Sequence, residues 1–337
     1  MRHRRSDRWL GWEGDNCTRM TEELQRLRLV SFNILEGFRP LRKRGSDRRL
    51  LDRQRVAAAR SVVSELAPDI LVLNEALFCR THVGKRIDYH KLFGFTHAAA
   101  ALYDGAWGNA ILSRFPIRRS QELRVYNRGG LTAIIETPAG LLTIASYHPH
   151  PRRYPENKAL DFSRLVEGLT GPVIVCGDLN CISPEDPIDR HRLIESFDEF
   201  STDAAADVDR FLESGILVFA TLGRLGLKDA IPLTQRRYSM PTDLISLNKS
   251  SAIRIDHILA NEGIEVVHGE VVHSHASNRA SDHHPVVADF RLRRRVGHNW
   301  SPSGVAGCGH RLASRGADRP IPSKLSPAAL SHHGEGS

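Results

Sequence analysis

Apolar positions along the chain fall into short blocks separated by polar turns, and the period changes from block to block. Residues 28–34, from Arg28 through Phe32 to Ile34, read as a strand. Leu51, Val56, Ala59, Val63 and Leu66 recur on one face of a 3.6-residue period, which predicts a helix stopped by Pro68. The compact apolar run 70–73 has the pattern of a strand buried on both faces, and it ends at Asn74 and Glu75. Residues 133–136 and 141–146 flank Pro138, Ala139 and Gly140, a hairpin pattern. Ala159, Phe162, Val166 and Leu169 mark a second helical face, 173–176 another buried strand, and 184–230 a mostly helical stretch. Segments 253–259, 264–272 and 286–292 read as late strands. Hairpins mixed with strand–helix–strand units predict an α/β (α+β) fold: two mixed β-sheets packed together, with helices outside.

Composition narrows the class. With 41% apolar and 26% charged residues, the 337-residue chain suits a soluble globular body. No apolar stretch approaches the roughly 18–20 residues that span a bilayer, so no stable membrane association is expected. The first twenty residues lack an apolar run and do not read as a secretory signal, and Met20 is a plausible alternative start. Five cysteines without a Cys-x-x-Cys pair argue against a disulfide framework or a zinc site, and a cytoplasmic setting and a monomer are the expectations. The net charge of +8 sits mostly at the end: residues 291–337 hold eight basic and two acidic residues, whereas 1–23 hold five of each. From residue 296 onward the chain is rich in Gly, Ser, Pro and His, with no apolar period. That tail and residues 1–23 read as disordered extensions around a folded body at 24–295. One basic cluster lies inside the body: residues 39–60 carry nine Lys/Arg against Asp47 and Asp52.

Polar residues collect where apolar strands end. Asn33 closes the first strand and Glu75 the second; His148 follows 142–147, and Gly177-Asp178-Leu179-Asn180 follows 173–176. Asp256 lies within Arg254-Ile255-Asp256-His257-Ile258, and Ser281-Asp282-His283 precedes the last strand. Each alone has a bland explanation as a turn, cap or solvated residue. Together, in order and each on the expected element, they are far more specific. Open α/β sheets place ligands at such strand ends. Cysteine chemistry is a poor rival, because Cys176 and Cys181 have no paired His motif, and no Gly-x-Ser-x-Gly marks a serine hydrolase.

The set Ser31-Phe32-Asn33, Leu73-Asn74-Glu75, the segment 108–114, Tyr147-His148, Gly177 to Asn180, Arg254 to Ile258 and Ser281 to His283 resembles the endonuclease/exonuclease/phosphatase superfamily. That superfamily includes pancreatic-type deoxyribonucleases, exonuclease III-like repair enzymes, inositol polyphosphate 5-phosphatases and neutral sphingomyelinases. The resemblance implies a DNase I-like four-layer sandwich that hydrolyses phosphate esters with Mg²⁺ or Mn²⁺. It implies Glu75 as principal metal ligand, with Asn33 beside it and Asp282 as a further ligand. Asp178 is implied to orient and deprotonate water, Asn180 to hydrogen-bond the phosphate or the nucleophile, and His283 to donate to a non-bridging oxygen. Asp256 would hold the His283 ring, and His148 would protonate the leaving oxygen or clamp the phosphate. Hard oxygen ligands agree with Mg²⁺ chemistry. His150, His257 and His284 read as structural.

Substrate class is less defined. Exonuclease III-like enzymes tend to carry Asp two residues after the Asn; here that position is Leu35, with Glu36 adjacent, which argues against a typical abasic-site endonuclease. Asn109, Arg39, Arg152 and Arg153 are the expected substrate contacts, and Trp107 and Tyr126 could stack on a base or sugar. The expected reaction is metal-dependent phosphodiester hydrolysis, with DNA as the partner. The alternatives are a small or lipid head-group phosphate ester and, more remotely, a catalytically silent binding module.

Overall fold

The computed structural model describes residues 26–41, 51–78, 87–103, 107–125, 128–198, 201–244 and 252–292. The extensions 1–23 and 296–337, most of the basic cluster's loop and Tyr126 lie outside them. The chain divides into units 1–294 and 295–337, and the fold below belongs to the first. Its elements in order are β1 (Arg26–Asn33), α1 (Arg53–Leu66), β2 (Ile70–Leu77), α2 (Tyr89–Phe93), β3 (His97–Tyr103), β4 (Trp107–Ser113), β5 (Ile117–Val125), β6 (Arg128–Thr137) and β7 (Gly140–Ser146). Then follow α3 (Pro155–Val166), β8 (Val173–Asp178), α4 (Arg190–Phe197), α5 (Ala204–Arg224), β9 (Lys228–Asp229), β10 (Asp256–Ala260), β11 (Ile264–Val271), α6 (Ser277–Ala280) and β12 (Val286–Leu292).

The strands form two six-stranded sheets, ordered β11-β12-β1-β2-β4-β3 and β5-β6-β7-β8-β10-β9. Each sheet is mixed: β1 runs parallel to β2 and β7 parallel to β8, and the other pairs are antiparallel. Two cores explain why the central strands read as unbroken apolar runs. In β2, Ile70 and Val72 face the core between the sheets, whereas Leu71 and Leu73 face Ala59 and Val63 of α1. In β8, Ile174 and Cys176 face the inter-sheet core, and Val173 and Val175 face Phe162 of α3 and Val218 of α5. Period-2 alternation is thus hidden, because both faces are buried. The layers are helix, sheet, sheet, helix.

The Pro68 stop and the hairpin at 138–140 act as expected. Asp52 caps α1 by accepting from the Gln54 and Arg55 backbone N–H groups, and Ala67 ends it at φ 45° before Pro68. The hairpin at 138–140 turns on Gly140. Strands β3, β4 and β5 have no counterpart among the elements read from the apolar pattern. β3 is largely alanine, and β5 alternates charged residues on an edge, so neither carries a strong apolar signature. The strand expected from residue 253 begins instead at Asp256; Ile253 makes only an isolated bridge to Met240.

Gly177 shows how tightly the sheets meet below the strand ends. Its φ is 139°, and a Cβ there would stand 2.9 Å from the Asn74 side chain of the other sheet and 3.0 Å from the Tyr147 carbonyl. Gly177→Ala is therefore expected to destabilise the fold by about 1–3 kcal/mol, measurable as a shift of the urea midpoint at constant slope. A wild-type midpoint would refute the steric account.

Candidate active site

Sheet register brings the strand ends together. Asn33 pairs with Asn74 across β1 and β2, Ser146 with Cys176 across β7 and β8, and Asp256 with Asp178 across β10 and β8. The β2–β4 register shifts between Leu73 and Ala76, and this bulge frees Asn74 and Glu75 from ordinary alternation. Glu75 takes φ 56°. Six non-glycine residues with left-handed backbone occur among the described residues. Leu35, Glu36, Phe38, Glu75 and Asn180 flank the strand ends, and the sixth, Ala67, caps α1. Each costs roughly 1–2 kcal/mol, and strain of this kind persists where surrounding contacts impose it.

One amide organises the carboxylates. Asn33 Nδ2 donates to Glu75 Oε1 at 3.3 Å and to Asp178 Oδ2 at 3.0 Å, so these two carboxylates face each other across a single nitrogen. His148 Nε2 approaches the same two oxygens, 3.3 Å from Asp178 and 3.9 Å from Glu75. His283 Nε2 lies 3.9 Å from both Asp178 Oδ2 and Asp282 Oδ1, and its Nδ1 meets Asp256 Oδ2 at 2.7 Å. Asp178 Oδ1 accepts the Asn180 N–H at 2.8 Å. Surrounding loops are tied in: Ser281 Oγ donates to the Asn33 carbonyl, and Ser239 Oγ accepts from the backbone N–H groups of Ile255 and Asp256. The seven residues Asn33, Glu75, His148, Asp178, Asp256, Asp282 and His283, scattered over the sequence, form one cluster at the strand ends.

The electrostatics split the titratable groups. Burial, then the Asp256 charge, pushes the Asp178 carboxyl up to about 7. Burial and the facing Asp282 also raise Glu75, although its side chain keeps 22% of its surface exposed, which softens the effect. Burial opposes charge on His283, but Asp256 and Asp282 outweigh it and hold that ring well above the usual imidazole range. Burial and the Arg128 guanidinium hold His148 well below it. The two histidines are therefore poised oppositely, one cationic and one neutral.

This donor set fits a hard divalent cation. Carboxylates crowd together with raised proton affinity, and His148 Nδ1 and Asp256 Oδ1 are buried with no hydrogen-bond partner. Asp178, Asp256 and His283 also offer ligand atoms within 4.8 Å of one another. Oxygen-rich, anionic surroundings of this kind suit Mg²⁺ or Mn²⁺ better than softer metals.

Several expected residues take other roles. Asn33 points its oxygen at the Leu35 N–H and its nitrogen at the Glu75 and Asp178 carboxylates. Asn109 is fully buried and spends its amide on the Gly129 carbonyl and on Asn74 Nδ2, which places it in the frame beneath the site and off any substrate surface. Arg153 forms a two-pronged ion pair with Asp161, and Arg39 donates to Glu36. Arg152 is exposed beyond His148. Asn180 donates its side-chain amide to the Pro149 carbonyl.

Three further contributors had no role assigned to them from the sequence. Asn74 reaches across the sheets, accepting the Asp178 N–H at 2.9 Å and donating to Asn109. Lys158, fully buried on α3, donates to the Asn180 carbonyl at 2.7 Å. Arg128 donates to the Tyr103 hydroxyl and lies over that ring at 5.0 Å. A lysine on an otherwise apolar helix face was the one visible hint.

The architecture and the strand-end cluster define a DNase I-like sandwich. Residues 30–283 match the model of the Endonuclease/Exonuclease/phosphatase family, and the chain belongs to that family. Its members are phosphoesterases, typically dependent on a divalent metal. Solved structures of the same fold include an endonuclease/exonuclease/phosphatase from Beutenbergia cavernae, 21% identical with a TM-score of 0.53 over 80% of this chain and 72% of that one. An AP endonuclease from Archaeoglobus fulgidus is 17% identical, with a TM-score of 0.56 over 78% and 98%. The human Nocturnin catalytic domain with bound sulfate is 17% identical, with a TM-score of 0.53 over 80% and 95%. At these identities the likeness is one of fold. No curated protein matches the chain. Among the described residues no helix is long and apolar enough to cross a membrane.

Proposed function

We propose that this chain is a divalent-metal-dependent phosphodiesterase that uses an activated water, with DNA as its substrate. The observation that carries the reading is the cluster in which Asn33 Nδ2 bridges Glu75 and Asp178 while both histidines face Asp178 Oδ2. Glu75 and Asp282 would hold the metal: Glu75 shares the Asn33 Nδ2 with Asp178, Asp282 lies 3.9 Å from His283 Nε2, and the Asp282 charge raises the proton affinity of Glu75. Asp256 holds the His283 ring by Nδ1 and favours its cationic form, which suits Nε2 to donating a hydrogen bond more than to ligating. A bound cation would supply Lewis-acid polarisation of the phosphoryl oxygen. The chain's own groups do the rest. Asp178, with a pKa near 7, takes a proton from water at neutral pH. His283, held by Asp256, donates a charged N–H to the phosphoryl group. His148, neutral, donates Nε2–H beside it. Arg128 and exposed Arg152 supply positive charge on the His148 side, which supports a polyanionic substrate.

The test is a substrate panel with purified full-length protein, stripped with chelator and recharged with Mg²⁺ or Mn²⁺. Plasmid DNA, single-stranded DNA, bis-p-nitrophenyl phosphate and sphingomyelin would be compared. Nicking of plasmid and cleavage of the small diester, both lost with chelator, are expected. Diester cleavage without DNA cleavage would sink the nuclease reading and favour a small phosphate ester; full activity in chelator would sink the metal.

A further inference from the structure

The segment after β1 does something unusual. Leu35, Glu36, Gly37 and Phe38 follow one another with φ of 43°, 50°, 59° and 64°, a complete left-handed turn. Left-handed residues normally occur singly, and three of these four carry side chains. Gly37 has to be glycine, because a Cβ there would stand 2.4 Å from the Leu77 Cβ. The turn aims its amides inward: Leu35 N–H donates to Asn33 Oδ1 at 3.0 Å and Glu36 N–H to Glu75 Oε2 at 2.9 Å. The Glu36 N–H thus grips the Glu75 carboxylate directly, while the Leu35 N–H fixes the Asn33 amide whose Nδ2 meets the same carboxylate.

The carbonyls of this segment converge on one side chain. Arg55 of α1, 2% exposed, donates to the Ile34, Leu35 and Arg39 carbonyls at 2.8, 2.9 and 2.6 Å, and its charge lies 5.6 Å from the centre of the Phe38 ring. Its Nε donates to the Ala280 carbonyl at 3.0 Å, one residue before Ser281 and Asp282. None of these four hydrogen bonds goes to a carboxylate. Burial accordingly lowers the guanidinium's proton affinity, against the pull of Asp282. A buried cation spent wholly on backbone carbonyls is costly, and here it ties the turn whose Glu36 N–H donates to Glu75 to the loop that carries Asp282.

We infer that Arg55 is a positioning residue for the metal site: it clamps the left-handed turn that presents the Glu36 N–H to Glu75, and it anchors the Ala280–Asp282 loop opposite. The inference rests on the metal-dependent reading above. Arg55 touches neither substrate nor metal; it acts through two backbone segments. Lysine lacks the planar fork that reaches four carbonyls at once, and glutamine keeps donors but removes the charge.

The experiment is Mn²⁺ binding by calorimetric titration of the full chain without substrate, for wild type, Arg55→Lys and Arg55→Gln, alongside circular dichroism melts and metal-activation curves. Each folded variant is expected to bind Mn²⁺ roughly tenfold more weakly. Turnover at saturating metal should stay within about threefold of wild type. A simple loss of fold stability would lower turnover at all metal concentrations, without this split. Glu36→Gly provides a second handle, since glycine adopts the turn without strain and keeps the N–H. Relative to Glu36→Gly alone, Glu36→Gly/Arg55→Lys should lose less affinity than Arg55→Lys loses from wild type. A folded Arg55 variant with wild-type Mn²⁺ affinity overturns the inference, and so does a double variant with no relief. If wild type binds Mn²⁺ but cleaves no phosphate ester, the functional reading fails while the titrations still decide the role of Arg55. If wild type binds no Mn²⁺, both fall.

Discussion

Asp178→Asn is expected to lower kcat by roughly 10²–10⁴-fold, the usual contribution of a positioned general base. The substitution keeps shape and most hydrogen bonding: Asn can still accept the Asn180 N–H, which lies 2.8 Å from Oδ1. It removes proton uptake. Wild-type activity should therefore rise with pH through about 7, where Asp178 ionises, and that limb should vanish in the variant. Stability should move the other way. An acid whose folded pKa is raised from 3.8 to about 7 destabilises the metal-free fold as pH climbs through that window, fully above about 7 and not below about 4. Metal-free Asp178→Asn should thus melt higher than wild type at pH 8, with the advantage shrinking toward pH 4. A variant that retains its acidic limb and much of its turnover would remove Asp178 from the chemistry.

The second large effect concerns His283. Its ring is gripped by Asp256 at 2.7 Å and faces Asp178 and Asp282, each at 3.9 Å. Loss of a charged donor aimed at a phosphoryl oxygen commonly costs about 10²–10³-fold in kcat, and His283→Gln should fall in that range. Asp256→Asn should cost less, because it leaves the imidazole in place but weakens its charge. The double variant should be little worse than His283→Gln alone, since Asp256 acts through the ring. Additive losses would break that link. The raised pKa also has a stability signature. The contribution is fully present below the unfolded value near 6.5 and is lost as pH rises through the folded value, so wild type and His283→Gln should converge in stability at alkaline pH. Activity should fall over the same alkaline range, which gives a bell with Asp178 on its acid side.

Much of the architecture was legible in the chain. The buried strands at 70–73 and 173–176 announced themselves because β2 and β8 are covered on both faces. The helix before Pro68 carried its period and its stop. Strands β3 to β5 were not legible, because alanines in one and surface charges in another leave no periodic apolar signal, and pairing with β4 and β6 supplies what propensity does not. At the site, Glu75, His148, Asp178, Asp256, Asp282 and His283 could be picked out because each closes, lies on or precedes an apolar strand, and sheet ends align in space.

What the sequence determined by itself was which residues reach the end of the sandwich: strand patterning places a side chain at a sheet's edge regardless of its distant neighbours. Only the tertiary structure decided what each side chain does there. The bulge at Leu73–Ala76 turns Asn74 toward the second sheet and Glu75 into the cluster, Asp161 takes Arg153 out of contention, and Asn109 is absorbed into the bridge between sheets. Arg55 lies in the first turn of a helix and would pass for a solvated face, yet it holds the turn behind Glu75. The physical reason is reach: a hydrogen bond is made or lost within a few tenths of an ångström, and that precision is set by register, bulges and packing between distant segments, such as the 248 positions between Asn33 and Ser281.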